Sequence, residues 1–223
     1  MKSSCCKVSE VNARKLIPGD KISDVTGVIL AGGVSRRMGR NKALMKIGNQ
    51  ALIERVYATM AALFPDIIIV TNTPELYEFL PCRKIADIYP GAGSIAGLHA
   101  GLSASSTERV FVAACDMPFL NPELIHLLFY NCKDYDAVVP LNSTGLLEPL
   151  HAFYAKSVLH ATQQAIERGD KSILNLLDTL RTKIIASDLF KVISGAEESF
   201  RNLNTPDDFA RVTELLQVST DLS

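Results

Sequence analysis

Residues 26–42 read TGVILAGGVSRRMGRNK, and the fold turns on how that stretch is divided. Residues 27–30 form a continuous apolar run of the kind carried by a central parallel strand covered on both faces. The chain then leaves the strand through Gly32, Gly33 and Gly39 with four cations, Arg36, Arg37, Arg40 and Lys42. A bare turn needs one or two glycines and no particular charge. Glycines let the backbone approach a ligand and present its N–H groups, and the cations add mobile positive charge, a combination suited to a triphosphate. The same residues also read as a tight strand-to-helix turn followed by a solvated basic face, and a glycine pair alone is a weak motif.

Working outward, the apolar runs at 67–70 and 110–114 repeat the pattern of the first strand. Between them Leu52, Ile53, Val56, Tyr57, Met60 and Phe64 recur at helical spacing. Further helices are expected after Pro74, from Ser94, and from Pro122 with Asn121 as N-cap. This alternation predicts an α/β fold, a Rossmann-like open, mostly parallel sheet with helices on both faces. Residues 137–139 read as another strand, followed by a polar turn at 142–145 and the segment EPLHAFY. Helical runs at 157–168 and 172–180, a late strand at 183–186 and a closing helix from Pro206 complete the pattern.

Of 223 residues, 48% are hydrophobic and 21% charged, enough for one sizeable core. The expected division is a mobile N-terminal extension at 1–24 and a single domain at 25–218. A net charge of −1 does not invite nucleic acid, so any anion site must come from locally gathered cations. Cys5, Cys6, Cys82, Cys115 and Cys132 form no CxxC pair and lie near no histidine cluster, which fits a reduced, cytoplasmic setting rather than a disulfide or zinc framework. No segment approaches the length of a membrane span, and no signal peptide is read.

Ligands of open parallel sheets sit beyond the carboxyl ends of the strands. Besides the glycine loop, such ends carry Thr71 and Asn72, Asp87 ahead of YPGAGSIAG, and Asp116 in VFVAACDMPFL. Asp116 leaves a buried strand with proline two residues later, so its carboxylate is aimed at the same crevice and suits a hard cation such as Mg²⁺. An isolated aspartate would read equally well as a turn cap. Asn204 in RNLNTPDD offers an oxygen for a second metal contact, or only a helix cap beside Thr205. The phosphate fingerprints GxxxxGK[ST] and GxGxxG both fail, and Gly91, Gly93 and Gly97 stand at GxGxxxG. His99, His126 and His151 have no acid or nucleophile beside them in sequence and read as packing or surface residues, with His151 the first to test because its strand could face the crevice.

The ordered set LAGGVSRRMGRNKALM, DIYPGAGSIAGL, CDMPFL, EPLHAFY and NLNTPDDF resembles the molybdenum cofactor guanylyltransferases of the nucleotidyltransferase superfamily. The resemblance covers the chain from about Gly27 to the closing helix. It implies an Mg²⁺-dependent enzyme that transfers GMP from GTP to the phosphate of molybdopterin and releases pyrophosphate. It further implies Leu30, Ala31 and Gly32 as nucleotide-binding backbone, beside Gly33 from the reading of the glycine loop, Lys42 as the phosphate-contacting lysine, Thr71 or Asn72 at the guanine, and Asp87 as a nucleotide or substrate contact. Asp116 is implied as metal ligand, joined by Asn204. LAGG rather than LAAG favours GTP over CTP. Transient contacts with other enzymes of molybdenum cofactor biosynthesis and with acceptor enzymes belong to the same expectation. GSIAG stands where many relatives have GPLAG, and residues 142–148 match nothing residue by residue.

In such a reaction one anion attacks another, so charge screening and in-line geometry are the main tasks. Lys42, Arg36, Arg37 and the loop amides are expected to stabilise the phosphates, with Asp116 at the metal, and no general base is required. The alternatives are a related nucleotidyltransferase using CTP or another phosphorylated acceptor, and a non-catalytic GTP-binding module.

Overall fold

The computed structural model describes residues 21–32, 41–203 and 208–209. β1 (Val25–Leu30) is an interior strand, followed by a 3₁₀ turn at Lys42–Leu44 and a short hairpin of β2 (Lys46–Ile47) and β3 (Gln50–Ala51). α1 (Leu52–Leu63) follows directly; Leu52, Ile53, Val56, Met60 and Leu63 are its buried stripe, and the Glu54 carboxylate accepts the amide of Ala51 at 2.6 Å, which occupies one donor that a helix start leaves open. Then come β4 (Asp66–Val70), β5 (Arg83–Ile85), α2 (Ser94–Ala104), β6 (Arg109–Ala114) and α3 (Pro122–Tyr130). Asn121 caps α3, accepting from the amides of Glu123 at 2.9 Å and Leu124 at 3.1 Å, as its sequence predicts. The chain continues through β7 (Ala137–Leu141), β8 (His151–Ala155), α4 (Val158–Glu167), α5 (Ile173–Leu177) and β9 (Thr182–Ala186).

Seven strands make one sheet in the order β5-β4-β1-β6-β8-β7-β9, and only β8 runs against the rest. From β1 the chain moves outward to β4 and β5, then crosses back to β6 on the other side of β1. That reversal opens a crevice at the carboxyl end of β1, where such folds bind ligands. Alternation along the strands divides the core in two. Ile29, Ile69, Phe111 and Ala113 face α1 and α3, while Val28, Ile68, Val110 and Val112 face α2, α4 and α5. Packing on the first face reaches back to Ile22, which is 3% exposed and donates its amide to Leu63 O at 2.7 Å.

Two expectations differ in extent. The helix after Pro74 is a single 3₁₀ turn, Pro74–Tyr77, because Tyr77 dives into the core and Leu80 N closes onto Tyr77 O at 3.0 Å. The run at 172–180 is helical only over Ile173–Leu177, after which Leu180 N turns back to Leu177 O at 3.2 Å. The closing helix from Pro206 lies outside the described residues apart from 208–209, which are helical. Among the described residues no helix is long and apolar enough to cross a membrane.

Candidate active site

A cleft of ≈ 630 Å³ lies over the carboxyl ends of β1, β4 and β6. Leu30, Ala31 and Gly32 form its floor. Two backbone bonds continue the sheet into that floor: Ala31 N donates to Val70 O at 2.9 Å, and Cys115 N to Leu30 O at 3.1 Å. Gly32 faces Asp87; a Cβ there would stand 3.7 Å from Asp87 Oδ2. Gly33, Arg36 and Arg37 lie outside the described residues, as does Asn204.

On one side, the turn at Lys42–Leu44 carries Lys42 toward Asp116, and Nζ meets Oδ2 at 3.1 Å with the side chains 14% and 21% exposed. These residues are 74 apart in the chain. The backbone of Asp116 is also tied down, since its carbonyl accepts the amide of Leu203 at 3.2 Å. Leu203 belongs to a small separate core with Ile47, Leu52 and Phe209, which joins the β2–β3 hairpin to the end of the chain.

On the other side, Asn72 and Asp87 are paired. Asn72 Oδ1 accepts the amide of Asp87 at 3.0 Å, and Asn72 Nδ2 donates to Asp87 Oδ2 at 3.3 Å. Partial burial raises the Asp87 carboxyl above its ordinary value, against the opposing effect of the Asn72 bond, and its Oδ1 is buried with no hydrogen-bond partner among the described residues. Thr71 does not share this wall: it is 1% exposed, and its hydroxyl lies 3.3 Å from that of Thr73. Asn72 is therefore the strand-end residue that lines the cleft.

The back wall is the YPGAGSIAG loop and the start of α2. Gly91 and Gly93 hold φ of 81° and 76°, a region that an L side chain rarely adopts, so the glycines are needed by the loop itself. Lys171, from the segment between α4 and α5, donates to Gly91 O at 2.8 Å.

Three residues that the sequence raised fall outside this geometry. His151 is buried in the core rather than facing the crevice, with its ring at 5.2 Å from both Phe111 and Phe200. His99 packs edge-on against Tyr89, and His126 stacks on Tyr130. The Cys115 thiol is no nucleophile, because burial and then the neighbouring Asp116 charge push it up to about 12. The sequence reading missed Asn41, which lines the cleft and caps the Lys42 turn by accepting the Ala43 amide at 3.1 Å. An Asn just before a short turn was the available signal. It also missed Leu150, at the edge of β8.

The cleft thus sets a lysine and an aspartate opposite an amide–carboxylate pair. Residues 27–183 match the family described as MobA-like NTP transferase domain. The chain belongs to that family. This MobA-like protein is 33% identical, over 87% of its length and 94% of the relative's, to a probable molybdenum cofactor guanylyltransferase of Pelotomaculum thermopropionicum. The crystal structure of molybdopterin-guanine dinucleotide biosynthesis protein A from Archaeoglobus fulgidus superposes with a TM-score of 0.75 at 32% identity, covering 86% of this chain and 98% of that one. The 4-diphosphocytidyl-2C-methyl-D-erythritol synthase of Anaerococcus prevotii shares the fold alone, at a TM-score of 0.65 and 14% identity over 86% of this chain and 96% of that one. The MobA-like chain is thus a nucleotidyltransferase.

Proposed function

We propose that this nucleotidyltransferase moves GMP from GTP onto the phosphate of molybdopterin, forming molybdopterin guanine dinucleotide and releasing pyrophosphate. An acceptor phosphate oxygen bonds to the α-phosphorus as the bond from that phosphorus to the bridging oxygen of the pyrophosphate breaks. The observation that carries the reading is the pairing of Lys42 with Asp116 at 3.1 Å, opposite the Asn72–Asp87 pair in a single cleft. The relatives named guanylyltransferases support the nucleotide and the acceptor.

Each wall has a task that its chemistry fits. Guanine presents ring N–H and amino donors, and Asp87 Oδ2, braced by Asn72 and facing Gly32, is an acceptor for one of them. Lys42 and the Gly32 amide are assigned to the phosphates, where charge repulsion between acceptor and donor must be lowered. The exposed backbone around Gly93 and Ser94 opens the α2 end of the cleft to the acceptor. Since that phosphate is ionised near neutral pH, no protein base has to deprotonate it.

Magnesium takes one or two carboxylates together with phosphate oxygens and water. Among the described residues no group of three or more His, Cys, Asp or Glu side chains can hold a metal. Asp116, which lines the cleft, would hold an Mg²⁺ ion together with phosphate oxygens of the bound triphosphate. When bound there it supplies neutralising charge at the phosphates. Asn204 is the proposed second ligand.

The reading is tested by incubating the enzyme with molybdopterin, Mg²⁺ and each nucleoside triphosphate in turn while scoring pyrophosphate. Release is expected with GTP, and equal release with CTP overturns the guanine reading. Asp116→Ala should abolish the metal-dependent turnover and leave the circular dichroism spectrum unchanged; normal turnover by that variant removes Asp116 from the mechanism.

A further inference from the structure

Tyr77 is 0% exposed, yet it keeps a hydroxyl that core packing does not require. A buried phenol pays desolvation unless its OH finds partners; two of the partners here, Asn41 and Ala31, line the cleft, and the third is the buried Thr71 hydroxyl. Asn41 Nδ2 donates to Tyr77 Oη at 2.8 Å. The same oxygen lies 3.5 Å from the Ala31 carbonyl oxygen, at the far limit of a hydrogen bond. Ala31 and Asn41 are ten positions apart in the chain and both line the cleft.

Asn41 has both ends of its amide engaged. Its Oδ1 takes the Ala43 amide at 3.1 Å, while its Nδ2 is directed to the phenol. The turn so fixed closes with Leu44 N on Asn41 O at 3.2 Å and Met45 N on Lys42 O at 3.0 Å, and Lys42 projects from it to Asp116. We infer that Tyr77 is a positioning residue of the nucleotide site: through Asn41 its phenol sets where Lys42 stands. The inference rests on the proposed role of Lys42. Burial raises the phenol above its ordinary value, the Asn41 bond working the other way, so the group stays protonated and able to donate.

The test compares Tyr77→Phe and Asn41→Ala, each in the wild-type and in the Lys42→Ala background, by steady-state pyrophosphate release with GTP, Mg²⁺ and molybdopterin. Lys42→Ala should lose about a hundred-fold or more in kcat. Tyr77→Phe keeps the ring and should keep the thermal midpoint within a few degrees, while kcat falls about ten-fold and KM for GTP moves less than about two-fold. Added to Lys42→Ala, Tyr77→Phe should cost less than about two-fold further, because its effect passes through the missing lysine. Asn41→Ala, at a half-buried position, should repeat the pattern without disturbing the core. Wild-type kcat in a folded Tyr77→Phe enzyme overturns the inference, as does the same ten-fold loss in both backgrounds, which would mark a general structural role. Normal turnover by Lys42→Ala removes the proposed role of the lysine and this inference with it, whereas an impaired Lys42→Ala beside an unimpaired Tyr77→Phe sinks the inference alone.

Discussion

At His151 an imidazole stands between Phe111 and Phe200 with no exposed surface and no hydrogen-bond partner on either ring nitrogen among the described residues. Burial lowers its pKa from 6.5 to about 3, so the folded protein holds it neutral. The unfolded chain binds a proton below 6.5 that the folded chain refuses until about 3. Stability from this group is therefore complete above the unfolded value and is lost progressively as pH falls between the two, at about 1.4 kcal/mol per pH unit. His99 is also lowered by burial, which acts in the same direction. His151→Phe removes the titration without sacrificing a hydrogen bond. Its urea midpoint should decline less steeply than wild type from pH 7 to pH 4, and its turnover at pH 7.5 should stay within about two-fold. Parallel declines would show that acid unfolding is governed elsewhere. The sequence could not reveal this burial, since strand parity alone decides which face a residue takes: Leu150 lines the cleft, and the next residue points into the core.

The helix α2 shows how an element can be legible in position and opaque in purpose. Ser94 as its start and the preceding glycine loop were readable, but Gly97 drew attention as the end of a failed nucleotide fingerprint. In the fold Gly97 and Gly101 sit one turn apart against β1. A Cβ would fall 2.9 Å from Leu30 Cδ2 at the first and 2.6 Å from Val28 Cγ1 at the second. Close approach of helix to strand thus explains both glycines and brings the α2 terminus to the cleft. Val28 is β-branched and held between β4 and β6, so it has little freedom to give way. Gly101→Ala gains about 1 kcal/mol of helix propensity. Overpacking costs about 1–3 kcal/mol, and with a rigid neighbour the clash should prevail. The variant should unfold at lower urea by about 1 kcal/mol; an unchanged or raised midpoint would mean that α2 shifts freely on the sheet. The turn after Pro74 teaches the converse, for its sequence allows a helix and the burial of Tyr77 ends it after one turn.

Across the whole molecule, the central strands were legible because doubly covered parallel strands are apolar without interruption, and the strand ends then pointed to Asp116, Asp87 and the pair Thr71 and Asn72, of which only Asn72 lines the cleft. What no local pattern carries is the closure between distant segments. Leu203 illustrates it: the side chain is 0% exposed in the small core with Ile47, Leu52 and Phe209, while its amide holds Asp116 O at 3.2 Å. One residue near the end of the chain thus links the hairpin after the Lys42 turn to the loop that bears the proposed metal ligand. Leu203→Ala should cost about 2–5 kcal/mol of stability through the cavity it leaves. Leu63→Ala offers a comparison, since Leu63 is 3% exposed at the opposite end of α1, where its carbonyl meets Ile22 rather than the cleft. Measured well below both unfolding midpoints, kcat should fall several-fold in Leu203→Ala, where the backbone support of Asp116 loosens, and stay near wild type in Leu63→Ala. Equal kcat in the two variants would mean that the small core serves stability alone and that Asp116 is held by its own loop and by Lys42.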